Sequence, residues 1–258
     1  MGKIPIALQL YSVREDCAKD LPGTLEQVAK MGYEGVEFAG YHDYSACDLR
    51  KMLDANGLTC CGSHLGINTL LGDELMETFE FNVALGNPYL ICPGLPGEYT
   101  ASRAAWRKTA DLFNDIAAKL RLVNAWTGYH NHHTEFTPLD GELPWDTFFG
   151  NTDLDVVMQL DIGNALRGGS HVAQFVEAYP GRALTVHLKP YSTEVGKENG
   201  DDGYRPLIGD DSVPWDSLLT RLEAIGGVRW YIVEYESDLF PPLEAVDKCL
   251  QRLRDMGK

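Results

Sequence analysis

The 258-residue sequence has few basic residues and no long apolar run. Its 22 Lys and Arg face 38 Asp and Glu, a net charge of −16, which argues against a nucleic-acid partner because affinity for phosphate backbones comes mainly from basic side chains. No run of about 18 apolar residues is present, so we predict no membrane-spanning helix and no membrane partner. The apolar stretch near the N-terminus is too short for a secretory signal, and we expect a cytoplasmic protein.

Two further motifs are missing from the sequence. The six cysteines form no C-x-x-C pair, which favours reduced thiols over disulfides or a zinc ribbon. The first predicted strand is followed by QLYSV at 9–13, without the glycine-rich turn that a dinucleotide-binding sheet usually carries there. Neither a disulfide-stapled fold nor a nucleotide-binding fold is therefore favoured.

Short apolar runs alternate with amphipathic segments along the whole chain. Strands are predicted at 6–10, 35–38, 59–64, 89–92, 125–131, 155–160, 182–188 and 229–234. Helices are predicted at 20–31, 45–56, 73–85, 100–120, 144–150, 171–178, 214–225 and 241–256. This alternation predicts a parallel sheet with helices outside it, and eight such units in about 250 residues match one (β/α)8 TIM barrel domain over 1–258. A doubly wound sheet is the alternative.

Polar residues mark the predicted strand ends, where barrel enzymes place their catalytic groups. The ends carry Gln9, Glu37, His64, His130 with His132, Asp161, His187 with Lys189, and Glu234 with Glu236. Imidazoles and carboxylates that converge from different strands are typical ligands of a divalent cation. The longest irregular stretch, 190–213, would follow the seventh strand on the same face, and a loop of that length is usually functional or mobile.

Five segments, in this order and spacing, resemble the xylose isomerase-like barrels of the sugar phosphate isomerase/epimerase family. They are GYEGVEF (32–38), GYHNHHTEF (128–136), LDIGNA (160–165), VHLKP (186–190) and WYIVEYE (230–236). The superfamily also contains endonuclease IV and several sugar lyases and dehydratases. The resemblance extends from residue 9 to the final helix. It implies a TIM barrel that acts on a small-molecule sugar or keto-sugar, without naming the substrate.

The resemblance also implies one divalent metal ion, such as Mn, Mg, Co or Zn, held by strands five to eight. Asp161, His187 and Glu234 match the family ligands of the last three of these strands. The fifth-strand ligand is usually a glutamate, and His130 occupies its position here. Either His130 binds the metal or Glu135 folds back to do so, and we prefer His130.

That departure bears on the reaction. Family isomerases and epimerases use two glutamates to remove and return a proton next to a carbonyl, while the metal stabilises the enediolate. With histidine replacing one glutamate, a one-base isomerisation or the β-elimination of a lyase or dehydratase becomes the alternative. The predicted catalytic residues are His132, Glu234 and Lys189, and the predicted substrate contacts are His64, Glu37 and Gln9.

Three functions follow from these observations. The favoured one is a metal-dependent isomerase or epimerase acting on a sugar or keto-sugar. A DNA-repair nuclease on the same barrel is disfavoured by the net charge of −16. A degenerate, non-catalytic sugar-binding member finds its support in the histidine at position 130. A homo-oligomer remains open, since barrels of this family often associate.

Overall fold

The computed structural model describes residues 2–258 and shows eight parallel strands that close into a barrel in sequence order. The strands are β1 (Ile6–Gln9), β2 (Gly35–Phe38), β3 (Thr59–His64), β4 (Tyr89–Cys92), β5 (Trp126–His130), β6 (Val157–Asp161), β7 (Thr185–Leu188) and β8 (Trp230–Val233). The ring closes between β1 and β8, where Ala7 aligns with Ile232. The predicted (β/α)8 barrel is confirmed, and the doubly wound sheet is not formed.

Helices surround the barrel and connect its strands. They are α1 (Arg14–Met31), α2 (Ala46–Asn56), α3 (Glu74–Leu85), α4 (Gly97–Thr100), α5 (Arg103–Arg121), α6 (Pro144–Phe149), α7 (Ile162–Arg167), α8 (Val172–Ala178), α9 (Trp215–Arg221) and α10 (Pro242–Asp255). Within residues 2–258, no helix combines the length and apolarity that crossing a bilayer requires.

Several helices differ from the sequence prediction. The helix predicted at 100–120 is divided into α4 and α5, and α9 ends at Arg221 rather than near residue 225. The first helix begins at Arg14 rather than near residue 20, and Asp20 has non-helical dihedrals (φ −156°, ψ 83°), so two helical segments meet at a kink there. Helix α7 was not predicted, because it has only six residues and contains Gly163. Its first residue directly follows Asp161, and this places the helix at the carboxyl-terminal mouth of the barrel.

Helix α2 illustrates how local sequence sets the boundaries. The Ser45 side chain accepts a hydrogen bond from the backbone N–H of Asp48, which satisfies a donor at the helix start. Gly57 ends the helix in the left-handed region (φ 66°), a conformation that glycine adopts without steric cost. Strand β3 begins two residues later, so both predicted boundaries of this unit are confirmed.

The barrel interior is divided into an apolar and a polar part. Around the strand starts, Tyr89, Ile91 and Val157 form a buried cluster with Trp126, Leu184 and Trp230. Trp230 also packs on a second cluster of Ala7, Cys61 and Ile232. Toward the strand ends the buried interior residues become polar: Gln9, Glu37, Gln159 and His187. The barrel interior is therefore apolar at one end and polar at the other.

Candidate active site

A cavity of about 570 Å³ opens at the carboxyl-terminal mouth of the barrel. Its lining comes from strand ends, from α7 and from the long loop after β7. The lining residues are Tyr11, Ala39, His64, Pro93, His130, His132, His133, Asn164, Arg167, Lys189, Asp201, Tyr204, Glu234 and Glu236. Six of the predicted strand-end residues thus line one concave space, which is where barrels of this type place their active sites.

Four buried residues bring potential metal donors together at this mouth. One donor atom from each of His130, Asp161, His187 and Glu234 lies within 4.8 Å of every other. These residues come from β5, β6, β7 and the position immediately after β8. Two imidazoles and two carboxylates form a donor set that a divalent transition metal accepts.

Glu135 lies outside that group of four. Its carboxylate accepts hydrogen bonds from the Tyr129 hydroxyl at 2.9 Å and from the backbone N–H of His132 at 2.7 Å. These two hydrogen bonds therefore stabilise the turn that follows β5. Of the two candidates for the fifth-strand ligand, the geometry favours His130.

Two atoms of the group of four have unmet bonding capacity. Within the described chain, Nδ1 of His130 and Oδ2 of Asp161 are buried without a hydrogen-bond partner. The other oxygen of Asp161 accepts from the backbone N–H of Asn164 at 2.7 Å. Leaving buried polar atoms unpaired is costly, and a cation between these side chains would satisfy Oδ2 of Asp161, which lies 3.8 Å from Nε2 of His130. The residues present therefore fit a divalent metal.

The protonation of these two side chains agrees with that fit. Burial lowers the pKa of His130 well below its usual value, and the nearby His187 lowers it further, so the ring is neutral. Burial also raises the pKa of Asp161 to about 7, although Lys189 opposes this shift. Because burial disfavours the ionised form of Asp161, a neighbouring positive ion would stabilise that form.

His187 joins two carboxylates across the barrel. Its Nε2 lies 2.7 Å from Oε2 of Glu37, and its Nδ1 contacts Oε2 of Glu234. Burial alone would lower the pKa of His187, but the two carboxylates outweigh burial and raise it to about 10. Burial likewise opposes the charge on Glu37, but His64 and His187 hold the pKa of Glu37 well below its usual range. Without a metal, the ionised carboxylates of Glu37 and Glu234 therefore lie on either side of the His187 imidazolium.

Lys189 and His132 occupy the wall of the cavity. Nζ of Lys189 lies 3.2 Å from Oε1 of Glu234, contacts Glu236, and lies 4.9 Å from the centre of the Tyr204 ring. The ring centroid of His132 is 5.4 Å from that of His130. Burial within the mouth lowers the pKa of His132, so its imidazole is neutral at pH 7 and able to accept a proton.

The three predicted substrate contacts lie at different depths. His64 lines the cavity, and its Nε2 lies 2.7 Å from Oε1 of Gln159. Gln9 and Glu37 are fully buried beneath the cavity, where the Gln9 amide donates to the Glu37 carboxylate at 2.7 Å. Both residues contact histidines of the mouth: Gln9 lies 3.4 Å from His64, and Glu37 contacts His64 and His187. Their predicted contact with substrate stays a prediction.

Three residues of the site were missed by sequence reasoning. Gln159 donates to Glu37 at 2.7 Å and to Thr185 at 2.9 Å, and the one signal for it was a polar residue inside an apolar strand. Tyr204 and Arg167 line the cavity from the long loop and from α7. Their positions depend on the path of irregular backbone, which periodicity does not encode.

Comparisons with known proteins agree with this architecture. The family model "Xylose isomerase-like TIM barrel" matches residues 25–256. The chain is 23% identical over 276 residues to the rhizopine catabolism protein MocC of Rhizobium meliloti, with coverage of 91% of this chain and 82% of that protein.

Solved structures share the fold at low sequence identity. A sugar phosphate isomerase/epimerase from Parabacteroides distasonis superposes with a TM-score of 0.82 at 24% identity, covering 98% of this chain and 94% of that one. The IOLI protein with a bound zinc atom superposes with a TM-score of 0.74 at 16% identity, covering 98% of this chain and 97% of the other. With nearly its whole length matched by one family model, the chain belongs to the xylose isomerase-like TIM barrel family.

Proposed function

We propose that this protein is a divalent-metal-dependent isomerase or epimerase that abstracts a proton next to the carbonyl of a sugar or keto-sugar. One observation carries the proposal: His130, Asp161, His187 and Glu234 present converging donor atoms at the barrel mouth, and within residues 2–258 Oδ2 of Asp161 has no hydrogen-bond partner. His130 and Glu234 also line the cavity. The sugar phosphate isomerase/epimerase with the same fold supports the reaction class. The zinc-bound relative supports the use of a metal.

His130, Asp161, His187 and Glu234 would hold the ion. When bound, a divalent ion would supply Lewis acidity that polarises a carbonyl and favours the enediolate. His187 is protonated between its two carboxylates at neutral pH, so it must release a proton before it can bind a metal. The affinity of the site for metal is therefore expected to rise with pH.

The side chains of the chain itself can move protons at two places. His132 is neutral and faces the cavity, so its imidazole can remove or return a proton near neutral pH. Burial opposes the charge on Glu234, but Lys189 and His187 outweigh it and hold the pKa of Glu234 well below its usual range. An ionised Glu234 can accept a proton, and Lys189 can donate a hydrogen bond to a substrate oxygen.

A lyase or dehydratase is the second candidate. His130 stands where the family places a glutamate, so the site has no symmetric pair of carboxylate bases from β5 and β8. β-Elimination needs one base to remove the proton and one acid to assist the leaving hydroxyl. His132 and Lys189 offer those two functions on one wall of the cavity.

Elemental mass spectrometry of the purified protein tests the metal site. We expect about one equivalent of a divalent metal in the wild type and its loss in Asp161→Ala and His187→Ala. His171→Ala is the matched control, because His171 is an exposed residue before α8 and should leave the metal content unchanged. Absence of metal after reconstitution with Mn, Mg, Co and Zn would contradict the proposal. It would favour the hypothesis of a non-catalytic sugar-binding protein.

A further inference from the structure

We propose that Arg167 binds a carboxylate group of the substrate, so that the preferred substrates are sugar acids rather than neutral sugars. The inference deepens the proposed function and rests on the cavity being the substrate site. Arg167 is the last residue of α7, the helix that begins directly after the candidate ligand Asp161. One short helix therefore connects the metal donors to a guanidinium at the rim of the same cavity.

The guanidinium of Arg167 is held in place by the long loop. Its Cζ lies 5.4 Å from the centre of the Tyr204 ring, and the Tyr204 hydroxyl donates to Oδ1 of Asn164 at 2.5 Å. Gly200 packs against its edge, since a Cβ built on Gly200 would lie 3.1 Å from Nε. The side chain is thus pre-oriented, which reduces the entropy lost when it binds a ligand.

The charges that line the cavity leave Arg167 available for an anion. Arg167 and Lys189 are the two permanently charged cations among the lining residues. Lys189 is buried between Glu234 and Glu236, and these two carboxylates balance its positive charge. Arg167 has a single carboxylate partner, Asp201, with Nη1 and Oδ1 2.7 Å apart.

The partner of Arg167 is held loosely. The Asp201 side chain is 76% exposed, whereas the Arg167 side chain is 22% exposed. Ion pairs of which one member is in water contribute little free energy, because solvent screens them. The carboxylate of Asp201 can therefore swing into solvent and be replaced by a carboxylate of the ligand at small cost. Asp201 marks the position that the ligand carboxylate would take.

The geometry favours a carboxylate over a phosphate. A guanidinium fork pairs with a planar carboxylate through two parallel hydrogen bonds. A phosphate dianion would bring a second negative charge into a cavity already lined by Glu234 and Glu236. One arginine compensates one such charge, not two. A neutral sugar would leave the guanidinium without a ligand partner.

Calorimetry of the metal-loaded protein tests this assignment without relying on turnover. The probes are hexuronates and aldonates, each paired with its neutral sugar or alditol, together with the corresponding 6-phosphates. We expect at least one acid to bind tenfold or more tightly than its neutral counterpart. Arg167→Gln should reduce this ratio to about one while the affinity for the neutral counterpart stays the same, which also shows that the variant is folded.

Three further variants sharpen the result. Arg167→Lys keeps the charge but lacks the fork, and should retain part of the preference. Asp201→Asn removes the competing carboxylate and should tighten acid binding two- to fivefold. Arg205→Gln is the matched control, because Arg205 pairs with Asp202 in the same loop and does not line the mouth cavity.

Each contrary outcome has a definite meaning. The assignment is overturned if no acid in the panel is preferred, if the preference survives in Arg167→Gln, or if the 6-phosphates bind more tightly than the carboxylates. In any of those cases, the proposed function would still hold if the protein catalysed exchange of the proton next to the carbonyl of a neutral keto-sugar with solvent. Tight acid binding without metal or exchange would instead leave the Arg167 site standing and remove the proposed reaction.

Discussion

The two ends of the barrel interior are built from the same eight strands, but one end is lined by apolar side chains and the other by polar and charged ones. At the amino-terminal end, Tyr89, Ile91 and Val157 pack with tryptophans and without a charge. At the carboxyl-terminal end, Glu37 and His187 are fully buried and charged. Burial of apolar area stabilises a fold, whereas burial of charge costs free energy unless each charge is paired. We therefore expect stability and chemistry to depend on opposite ends of the barrel.

The largest effect is expected for Glu234→Gln, which should lower activity while it leaves stability nearly unchanged. Loss of the ionised carboxylate should lower proton exchange between substrate and solvent about 10³-fold, within the usual range for a proton-transfer group. Thermal stability should change little, because Lys189 keeps Glu236 and His187 keeps Glu37 as partners. Deuterium incorporation measured by NMR reports the exchange, and an unsaturated product would identify the lyase reaction.

Glu244→Gln provides the control for that variant. Glu244 pairs with Lys248 on the exposed face of α10 and does not line the cavity, so the same change in charge occurs outside the candidate site. Wild-type exchange in Glu234→Gln would remove this residue from the mechanism. An unfolded Glu234→Gln protein would show that the polar end also carries stability.

The next effect belongs to the apolar end. Ile232→Ala leaves a cavity against Ala7 and Cys61 and should lower the free energy of unfolding by about 2–5 kcal/mol. Ile232→Val, with a smaller deletion, should lower it by about 0.5–1.5 kcal/mol. Urea denaturation measures both values. Metal content should stay at the wild-type level, and its loss in either folded variant would refute the separation of the two ends.

The last effect is a pH dependence confined to the polar end. The pKa of His187 is raised to about 10 in the folded protein, so its charge stabilises the fold fully below the unfolded value near 6.5. This contribution is lost as pH rises from 6.5 through 10. The metal-free wild type should therefore lose more stability over that window than His187→Gln, whereas Ile232→Ala should follow the wild-type slope. Equal slopes in the wild type and His187→Gln would contradict the charged state assigned to His187.

The sequence could predict the strands and their polar ends because both depend on local pattern. Each predicted strand overlaps an observed one, and Asp161 and His187 lie at strand ends as expected. The contact between Glu37 and His187 joins residues 150 positions apart, which no local pattern encodes. The contact of Glu37 with His187 could therefore not be predicted from the sequence.

The remaining part of the site depends on backbone without periodicity. Helix α7 is too short for a helical repeat to show, and its Arg167 was therefore missed. The loop at 190–213 was expected to be functional because of its length alone. Two 3₁₀ turns, Val195–Lys197 and Gly200–Tyr204, shape this loop and carry Asp201 and Tyr204 to the cavity.

That loop has a consequence for how such a barrel can diversify. The candidate metal donors lie in strands or, for Glu234, directly after one, where a change in one residue disturbs paired neighbours across the ring. Asp201 and Tyr204 are supplied by a single surface connection that closes no strand pair. Under the proposed function, exchange of that connection in the course of evolution would alter which molecules are admitted and leave the reaction unchanged. Selectivity and reactivity would then be inherited as separable parts.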